Sequence, residues 1–235
     1  MELNKIYNEN CLDGLKRVDN NSIDMLLTDP PYNISVKNNF KTMGRNGIDF
    51  GEWDKEFNLT NWIGLAVSKI KKGGNVVIFC DWKMITYIVD ELTEHNCDIK
   101  DMIRLVKNNP MPRNRDRRFI VDYEVAVWAV KKGKWTFNRI SDTYERPEVK
   151  CNITSPNEKK ITKHPTQKPL SSIEHILLRL SNEGDAILDC FMGSGTTAVA
   201  CINTNRNYIG FELDNDYFDS SLVRIENYLI KEAQK

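Results

Sequence analysis

The tetrapeptide Asp29-Pro30-Pro31-Tyr32 directly follows an apolar run and combines groups that can hold a flat amine. An ionised Asp29 only accepts hydrogen bonds, and two successive prolines remove two backbone donors, which leaves the Pro30 carbonyl free to accept. Tyr32 adds an aromatic face. Two acceptors acting on both hydrogens of a nucleobase amine favour a pyramidal, more nucleophilic nitrogen. The alternative is an ordinary turn, because Asp-Pro and Pro-Pro are common turn dipeptides.

A second pattern lies in residues 186–198, which predict a buried strand, a glycine turn and the start of a helix. A later apolar strand, 208–211, ends at Glu212. This order is typical of a nucleotide-binding βαβ unit, in which the distal acid takes ribose hydroxyls. Ala198 stands where a third glycine is usual, and no lysine precedes Thr196 as in a P-loop. A turn that serves only packing is the alternative.

The two patterns together favour S-adenosylmethionine as cofactor, because they pair a ribose-bearing ligand with an aromatic amine. An NAD enzyme would leave the diproline tetrapeptide unexplained.

The elements that must position these residues alternate between strands and helices. This alternation predicts one α/β domain over residues 1–235, with a doubly wound, mostly parallel sheet. Strands are expected near 23–28, 75–80, 98–106, 121–130, 134–138, 185–190 and 206–211. Helices are expected over 58–71, closed by the lysines and glycines of 71–74, over 169–180, and over 214–230. Residues 121–138 suggest a hairpin that turns at 131–134.

Two polar segments lack a clear period. Residues 33–54 follow the tetrapeptide, and we expect a mobile loop over the site. Residues 140–163 are either a short target-recognition insert or a long surface connection.

Composition places the chain among soluble, cytoplasmic proteins, because no apolar stretch is long enough to span a membrane and the first residues lack a signal peptide. The six cysteines show no Cys-x-x-Cys spacing, so buried reduced thiols are expected rather than disulfides or a metal site. The formal net charge is zero, but 104–118 carries six basic residues and one acid. That region is either a surface for a polyanion or a solvated face.

With its glycine loop Phe191-Met192-Gly193-Ser194-Gly195 and its diproline tetrapeptide, the chain resembles the amino-group DNA methyltransferases. The tetrapeptide comes first and the glycine loop last, which resembles the β group with its permuted motif order. The likeness extends over nearly the whole chain, including 8–13, 74–79, 117–119, 124–129 and 164–169. Residues 33–40 and 107–114 resemble short adenine methylases of bacterial restriction-modification systems, especially those that read asymmetric sites.

The resemblance implies a Rossmann-like fold and a set of site residues. The tetrapeptide would be catalytic, with Tyr32 stacked on a flipped base. The residues implied around the cofactor are Asn10, Cys11, Asp29, His164, Thr166, Lys168, Asp189, Phe191, Gly193, Ser194, Gly195, Thr196, Thr197 and Glu212. Relatives generally have an acid where Asn10 stands, so its contact with the cofactor's adenine would be weaker, and a loop or capping role is the alternative. The residues implied to contact DNA are Lys37, Arg45, Arg113, Arg115, Arg117 and Arg118.

The resemblance further implies direct methyl transfer to double-stranded DNA, a homodimer and a cognate endonuclease. Adenine N6 is expected because Asp opens the tetrapeptide, whereas cytosine-N4 relatives more often begin with Ser. Cytosine N4 is the alternative, followed by an RNA or protein amine and by a binding module without activity.

Overall fold

The computed structural model describes residues 1–32, 57–112, 115–117, 119–162 and 164–233. The predicted loop 33–54, with Lys37 and Arg45, lies outside the described residues, and so do Arg113 and Arg118. Within the part that is described, no helix combines the length and the apolar character needed to cross a membrane.

Within the described residues, eight strands form one sheet in the order β1-β8-β7-β2-β3-β5-β4-β6. Their bounds are β1 Lys5–Asn8, β2 Ile23–Thr28, β3 Ile70–Cys80, β4 Cys97–Lys107, β5 Tyr123–Lys131, β6 Glu148–Cys151, β7 Ala186–Asp189 and β8 Asn207–Glu212. All neighbouring pairs are parallel except those of β5, which runs antiparallel to both β3 and β4. The mostly parallel sheet is therefore confirmed.

The carboxyl ends of most strands lie along the same edge of the sheet, which we call the carboxyl edge. Seven strands end at this edge, and β5 begins there because it runs the opposite way. Open α/β sheets bind ligands outside the carboxyl ends of their strands. Asp29, which follows β2, lies at this edge together with the last residues of β7 and β8, Asp189 and Glu212.

Helices cover both faces of the sheet. Their bounds are α1 Cys11–Leu15, α2 Ile63–Lys69, α3 Ile85–Glu94, α4 Pro156–Thr162, α5 Leu170–Leu180, α6 Thr196–Asn203 and α7 Asn215–Ala233. Side chains of β3 alternate between two buried clusters: Val76 and Ile78 pack with α1, α2 and α3, whereas Val77 and Phe79 pack with α5 and α6. The sheet is buried on both sides, as a parallel sheet requires.

The predicted hairpin over 121–138 is wrong. β5 already has β3 on one side and β4 on the other, so it offers no free edge to residues 134–138. Those residues form no strand and instead fasten the sheet to α5. The Thr136 carbonyl accepts from Asn75 Nδ2 at 2.9 Å, and the Asn138 N–H donates to the Arg179 carbonyl at 2.7 Å.

The helix expected over 58–71 is shorter than predicted, and its glycines serve another purpose. α2 ends at Lys69, and β3 begins at once with Ile70, which pairs with Ile23 of β2. Gly73 has a φ of 82°, and a Cβ there would lie 2.1 Å from the Lys134 carbonyl oxygen. The glycine therefore admits the chain that follows β5 rather than capping a helix.

β1 and β6 are not apparent from the sequence. Each has four residues and lies at an edge of the sheet, so neither carries the continuous apolar run of a central strand. β6 and α4 fall within the segment 140–163, whose role as a target-recognition insert stays a prediction.

Candidate active site

A cleft of about 1590 Å³ opens at the carboxyl edge of the sheet. Single ligand sites usually measure about 300 to 1,000 Å³, so this cleft has room for more than one group. The residues from the sequence analysis that line it are Asn10, Cys11, Asp29, Pro30, Pro31, Tyr32, His164, Thr166, Lys168, Asp189, Phe191, Gly193, Ser194, Thr196, Thr197 and Glu212. The two sequence patterns therefore lie on one cavity.

The glycine turn between β7 and α6 has the left-handed backbone geometry that glycine adopts most readily. Gly193 and Gly195 have φ values of 50° and 72°. A Cβ on Gly193 would lie 3.1 Å from His164 Nε2, and one on Gly195 would lie 3.1 Å from Ser221 Cβ. Gly195 is therefore a support that packs against α7, whereas Gly193 lines the cleft. The absence of a Cβ at Gly193 leaves room for the His164 ring beside the turn.

Glu212, at the end of β8, is held by the backbone on both sides. Its Oε2 accepts from the Gly193 N–H at 2.7 Å, and its Oε1 accepts from the Asp214 N–H at 2.8 Å. Burial raises the pKa of Glu212 to about 6, although these two bonds oppose the rise. The carboxylate retains lone pairs for hydroxyl donors from a ligand in the cleft.

Asp189 ties the glycine turn to the strand that carries the tetrapeptide. Its Oδ1 accepts from Thr28 Oγ1 at 2.7 Å and from the Phe191 N–H at 3.0 Å. Burial raises the pKa of Asp189 to about 6, and its hydrogen bonds to Thr197, Thr28 and Phe191 oppose this. The two sequence patterns are therefore joined by direct hydrogen bonds.

An aromatic cluster forms one wall of the cleft. The Phe191 ring meets Trp62 edge-on at 5.0 Å between centroids, and Phe57 in the same manner at 5.2 Å. Edge-to-face packing of this kind fixes ring orientation. Phe191 and Phe57 thus offer a shaped apolar wall for a planar group.

Asn10 and Cys11 stand at the start of α1. The Asn10 side chain caps this helix, since its Oδ1 accepts from the Leu12 N–H at 2.9 Å. Asn10 therefore caps the helix and also lines the cleft, and its contact with the cofactor stays a prediction. Cys11 is buried, and burial raises the pKa of its thiol to about 12. All six cysteines are buried and free, as expected.

His164 faces the glycine turn from the opposite side. Its ring lies 4.4 Å from that of Tyr217, centroid to centroid. Burial lowers the pKa of His164 to about 4, and the Lys168 charge adds to this effect. The imidazole is therefore neutral near pH 7 and contributes surface rather than charge. Thr166 follows on the same wall.

Lys168 lines the cleft and also contacts the tetrapeptide, and its contact with the cofactor stays a prediction. Its ammonium donates to Asp29 Oδ2 and lies 3.1 Å from Glu124 Oε2. The Tyr32 hydroxyl donates to the other oxygen of Asp29. Lys168 is only 7% exposed, so it acts on the tetrapeptide from within the protein.

Glu124 and Lys107 complete this chain of charges, and the sequence analysis assigned them no role. Lys107 ends β4, Glu124 is the second residue of β5, and their side chains form an ion pair. Antiparallel pairing brings the end of one strand beside the start of the next. A charged residue at the start of an apolar strand was the signal in the sequence.

Opposite charges in this cluster favour one another's ionised form. Burial opposes ionisation of Glu124, but the Lys168 and Lys107 ammonium groups lower its pKa to about 2. Burial likewise disfavours the charged form of Lys168, yet Asp29 and Glu124 raise its pKa above the ordinary value. Burial raises the pKa of Asp29, and Lys168 opposes that rise.

Arg115 and Arg117 lie apart from the cleft lining and are exposed. The Arg115 side chain is 94% exposed and lies 3.7 Å from the Asp116 carboxylate. Both arginines can therefore meet a large ligand but not a small molecule in the cavity.

The glycine turn, the distal acid and the amine-accepting tetrapeptide at one edge of a mostly parallel sheet define an S-adenosylmethionine-dependent methyltransferase. The N6_N4_Mtase family model, described as DNA methylase, matches residues 23–223. The chain belongs to this DNA methylase family, and its substrate is DNA.

Individual relatives agree with that assignment. Type II methyltransferase M2.MboI of Moraxella bovis is 34% identical over 235 residues, covering 93% of this chain and 86% of that protein. M2.DpnII of Streptococcus pneumoniae is 32% identical over 230 residues and covers 90% and 85%. The crystal structure of an M1.HpyAVI–SAM complex superposes with a TM-score of 0.77 at 40% identity, covering 94% of this chain and 98% of that one.

Proposed function

We propose that this enzyme methylates adenine at N6 in double-stranded DNA and serves as the modification enzyme of a type II restriction-modification system. The observation that carries the proposal is Asp29, whose carboxylate lies on the cleft and accepts from the Tyr32 hydroxyl and from the buried Lys168 ammonium. The relatives M2.MboI and M2.DpnII, named type II methyltransferases, support the restriction-modification role.

In the proposed mechanism the target adenine leaves the stack and enters the cleft, because its amine is inaccessible inside the duplex. Tyr32 stacks on the flipped base. Asp29 and the Pro30 carbonyl accept hydrogen bonds from the two amine hydrogens and draw the nitrogen lone pair out of the ring. The sulfonium of the bound cofactor supplies the methyl group, in line with that lone pair.

The amine proton that becomes acidic after transfer leaves through Asp29 or water. Burial raises the pKa of Asp29 and the Lys168 charge opposes this rise, which favours the ionised carboxylate that this route needs. No cysteine is needed as nucleophile. Burial keeps the Cys80 thiol, which also lines the cleft, protonated with a pKa of about 12.

The cofactor is proposed to lie along the glycine turn, with His164 beside it. Glu212 would accept from its ribose hydroxyls, and the turn residues, with Ser194, Thr196 and Thr197, would surround its methionine end. Asn10 and Cys11 would meet its adenine, beside Phe191. The lone pairs that Glu212 retains on the cleft side suit this placement.

The same proposal extends to DNA and to partners. Arg115 and Arg117 would contact phosphates, together with Lys37, Arg45, Arg113 and Arg118. A homodimer and a cognate endonuclease stay predictions. We expect the enzyme in the cytoplasm, where its DNA substrate would lie.

Cytosine N4 is the second candidate, because the family name covers N6 and N4 enzymes. Tritiated methyl is transferred to duplex DNA, and the DNA is then hydrolysed and its bases are separated. The base that carries the label distinguishes the two candidates. The adenine proposal fails if label appears only on cytosine. A competition series with duplex DNA, RNA and peptide tests the remaining classes, and Asp29→Ala provides the inactive control.

A further inference from the structure

A buried arginine supports the glycine turn from behind. Arg224 of α7 is 8% exposed and reaches the turn with Nη1. This nitrogen donates to the Ser194 carbonyl at 2.9 Å, to Thr196 Oγ1 at 2.8 Å and to Ser194 Oγ at 3.3 Å. Arg224 itself does not line the cleft, whereas Ser194 and Thr196 do.

The Arg224 guanidinium is buried and donates to neutral oxygens of the turn. Among the ion pairs of the described residues, none includes Arg224. Burial lowers its pKa, and the more distant Glu158 opposes this. Burying a cation without a counterion costs free energy. An anion bound on the cleft side of Ser194 and Thr196 would reduce this cost.

The hydrogen bonds also decide what the two hydroxyls can do. An oxygen that accepts from a guanidinium must point its own hydrogen elsewhere. Ser194 Oγ and Thr196 Oγ1 lie 3.0 Å apart, so one hydroxyl hydrogen closes the bond between them. The other remains available to an acceptor on the cleft side, and the cation behind it strengthens that donor.

We propose that Arg224 is a positioning residue for the carboxylate at the methionine end of the cofactor, acting through the hydroxyls of Ser194 and Thr196. It touches no ligand. It turns a pair of neutral hydroxyls into a donor site with positive potential, which suits an anion. This inference rests on the proposed placement of the cofactor's methionine end at the glycine turn.

The test compares two ligands that differ by one group. S-adenosylhomocysteine carries the carboxylate, and its decarboxylated counterpart lacks it. Dissociation constants for both are measured by calorimetry with the full chain. We expect the wild-type protein to prefer the carboxylated ligand and Arg224→Gln to reduce that preference by about tenfold, the size of a charge-assisted hydrogen bond. Binding of the decarboxylated ligand should change little.

Three further variants separate charge from structural support. Arg224→Lys retains a cation and should keep more of the preference than Arg224→Gln. Ser194→Ala removes one hydroxyl and should also reduce the preference. Arg206→Gln is the matched control. Arg206 is likewise buried, but it bonds to Ser181 and Thr204, so its loss should lower stability and leave the preference intact.

Other results contradict the proposal. Equal weakening of both ligands by Arg224→Gln would assign Arg224 to structural support alone, and an unchanged preference would remove it from cofactor recognition. A wild-type protein that bound both ligands equally would also overturn the proposed placement of the methionine end. Catalytic methylation could still be intact in that case, so the two failures are distinguishable.

Discussion

The ammonium of Lys168 donates to Asp29 Oδ2, across a sequence separation of 139 residues. With the Tyr32 hydroxyl on Oδ1, both carboxylate oxygens of Asp29 have a donor within the protein. A target amine must therefore share or displace one of these donors. Lys168 also pairs with Glu124, so its ammonium can move away from Asp29 and still have a counterion.

The first prediction concerns this ion pair. Burial raises the pKa of Asp29 and Lys168 lowers it, so Lys168→Met should raise it further. If catalysis needs an ionised Asp29, the acid limb of the pH–rate profile should move to higher pH by about one unit or more. Single-turnover methylation rates between pH 5 and 9 measure the shift.

Lys107→Met is the matched control for that experiment. Lys107 pairs with Glu124 and not with Asp29, so its loss should move the acid limb much less. An acid limb that stays in place in Lys168→Met would mean that Asp29 is not the group whose ionisation limits the rate.

Glu124 should contribute to stability in a pH-dependent manner. Its pKa of about 2 lies below the ordinary value of about 4.3, so its contribution is complete above pH 4.3 and is lost as the pH falls towards 2. Glu124→Gln should lower the free energy of unfolding at pH 7 by about 2 kcal/mol, less than for a fully buried pair because Glu124 is 29% exposed.

Urea unfolding of the wild type and Glu124→Gln at several pH values tests this. The difference between the two proteins should shrink as the pH falls below about 4. A difference that stayed constant with pH would show that packing, rather than charge, accounts for the loss.

Much of this site could be predicted from the sequence because it consists of short, contiguous motifs. The tetrapeptide and the glycine turn each follow a strongly apolar strand, and parallel strands bring their ends together. The Lys168–Glu124–Lys107 cluster did not follow, because it joins a loop to two antiparallel neighbours whose pairing no local pattern reveals. The hairpin error has the same origin: residues 134–138 look like a strand, but β5 had no free edge.

Cofactor affinity should depend on the ionisation of Glu212. Burial raises its pKa to about 6, and a carboxylate accepts hydroxyl hydrogens more strongly than a carboxylic acid. Affinity for S-adenosylhomocysteine should therefore increase as the pH rises through about 6. Glu212→Gln should bind more weakly at pH 8 and lose most of this dependence. A variant with the wild-type pH dependence would exclude Glu212 as its source.

Tyr32 should act in two separable ways. Tyr32→Phe loses the hydrogen bond to Asp29 but keeps the ring, whereas Tyr32→Ala loses both. We expect a rate reduction of about tenfold for Phe and a further loss for Ala, because stacking on a base contributes about 1–3 kcal/mol. Fluorescence of 2-aminopurine at the target position reports flipping, which Ala should impair and Phe should retain. Equal flipping in both variants would argue against stacking.

Arg115 and Arg117 should contribute to DNA affinity without selecting sequence. Replacing both by Ala should weaken binding to specific and non-specific duplexes alike. The slope of log K against log salt should decrease by about 1 for each phosphate that the variant no longer neutralises. Lys5→Ala is a control at an exposed lysine beyond the cleft, on β1. An unchanged slope in the double variant would show that neither arginine contacts a DNA phosphate.

The most direct test of the central claim is the chemical identity of the methylated base. Duplex DNA is incubated with the enzyme and isotopically labelled S-adenosylmethionine, digested to nucleosides and analysed by mass spectrometry, with Asp29→Ala in parallel. We predict labelled N6-methyldeoxyadenosine from the wild type and a reduction of about 100-fold or more from the variant. Label on N4-methyldeoxycytidine, or undiminished transfer by Asp29→Ala, would contradict the account.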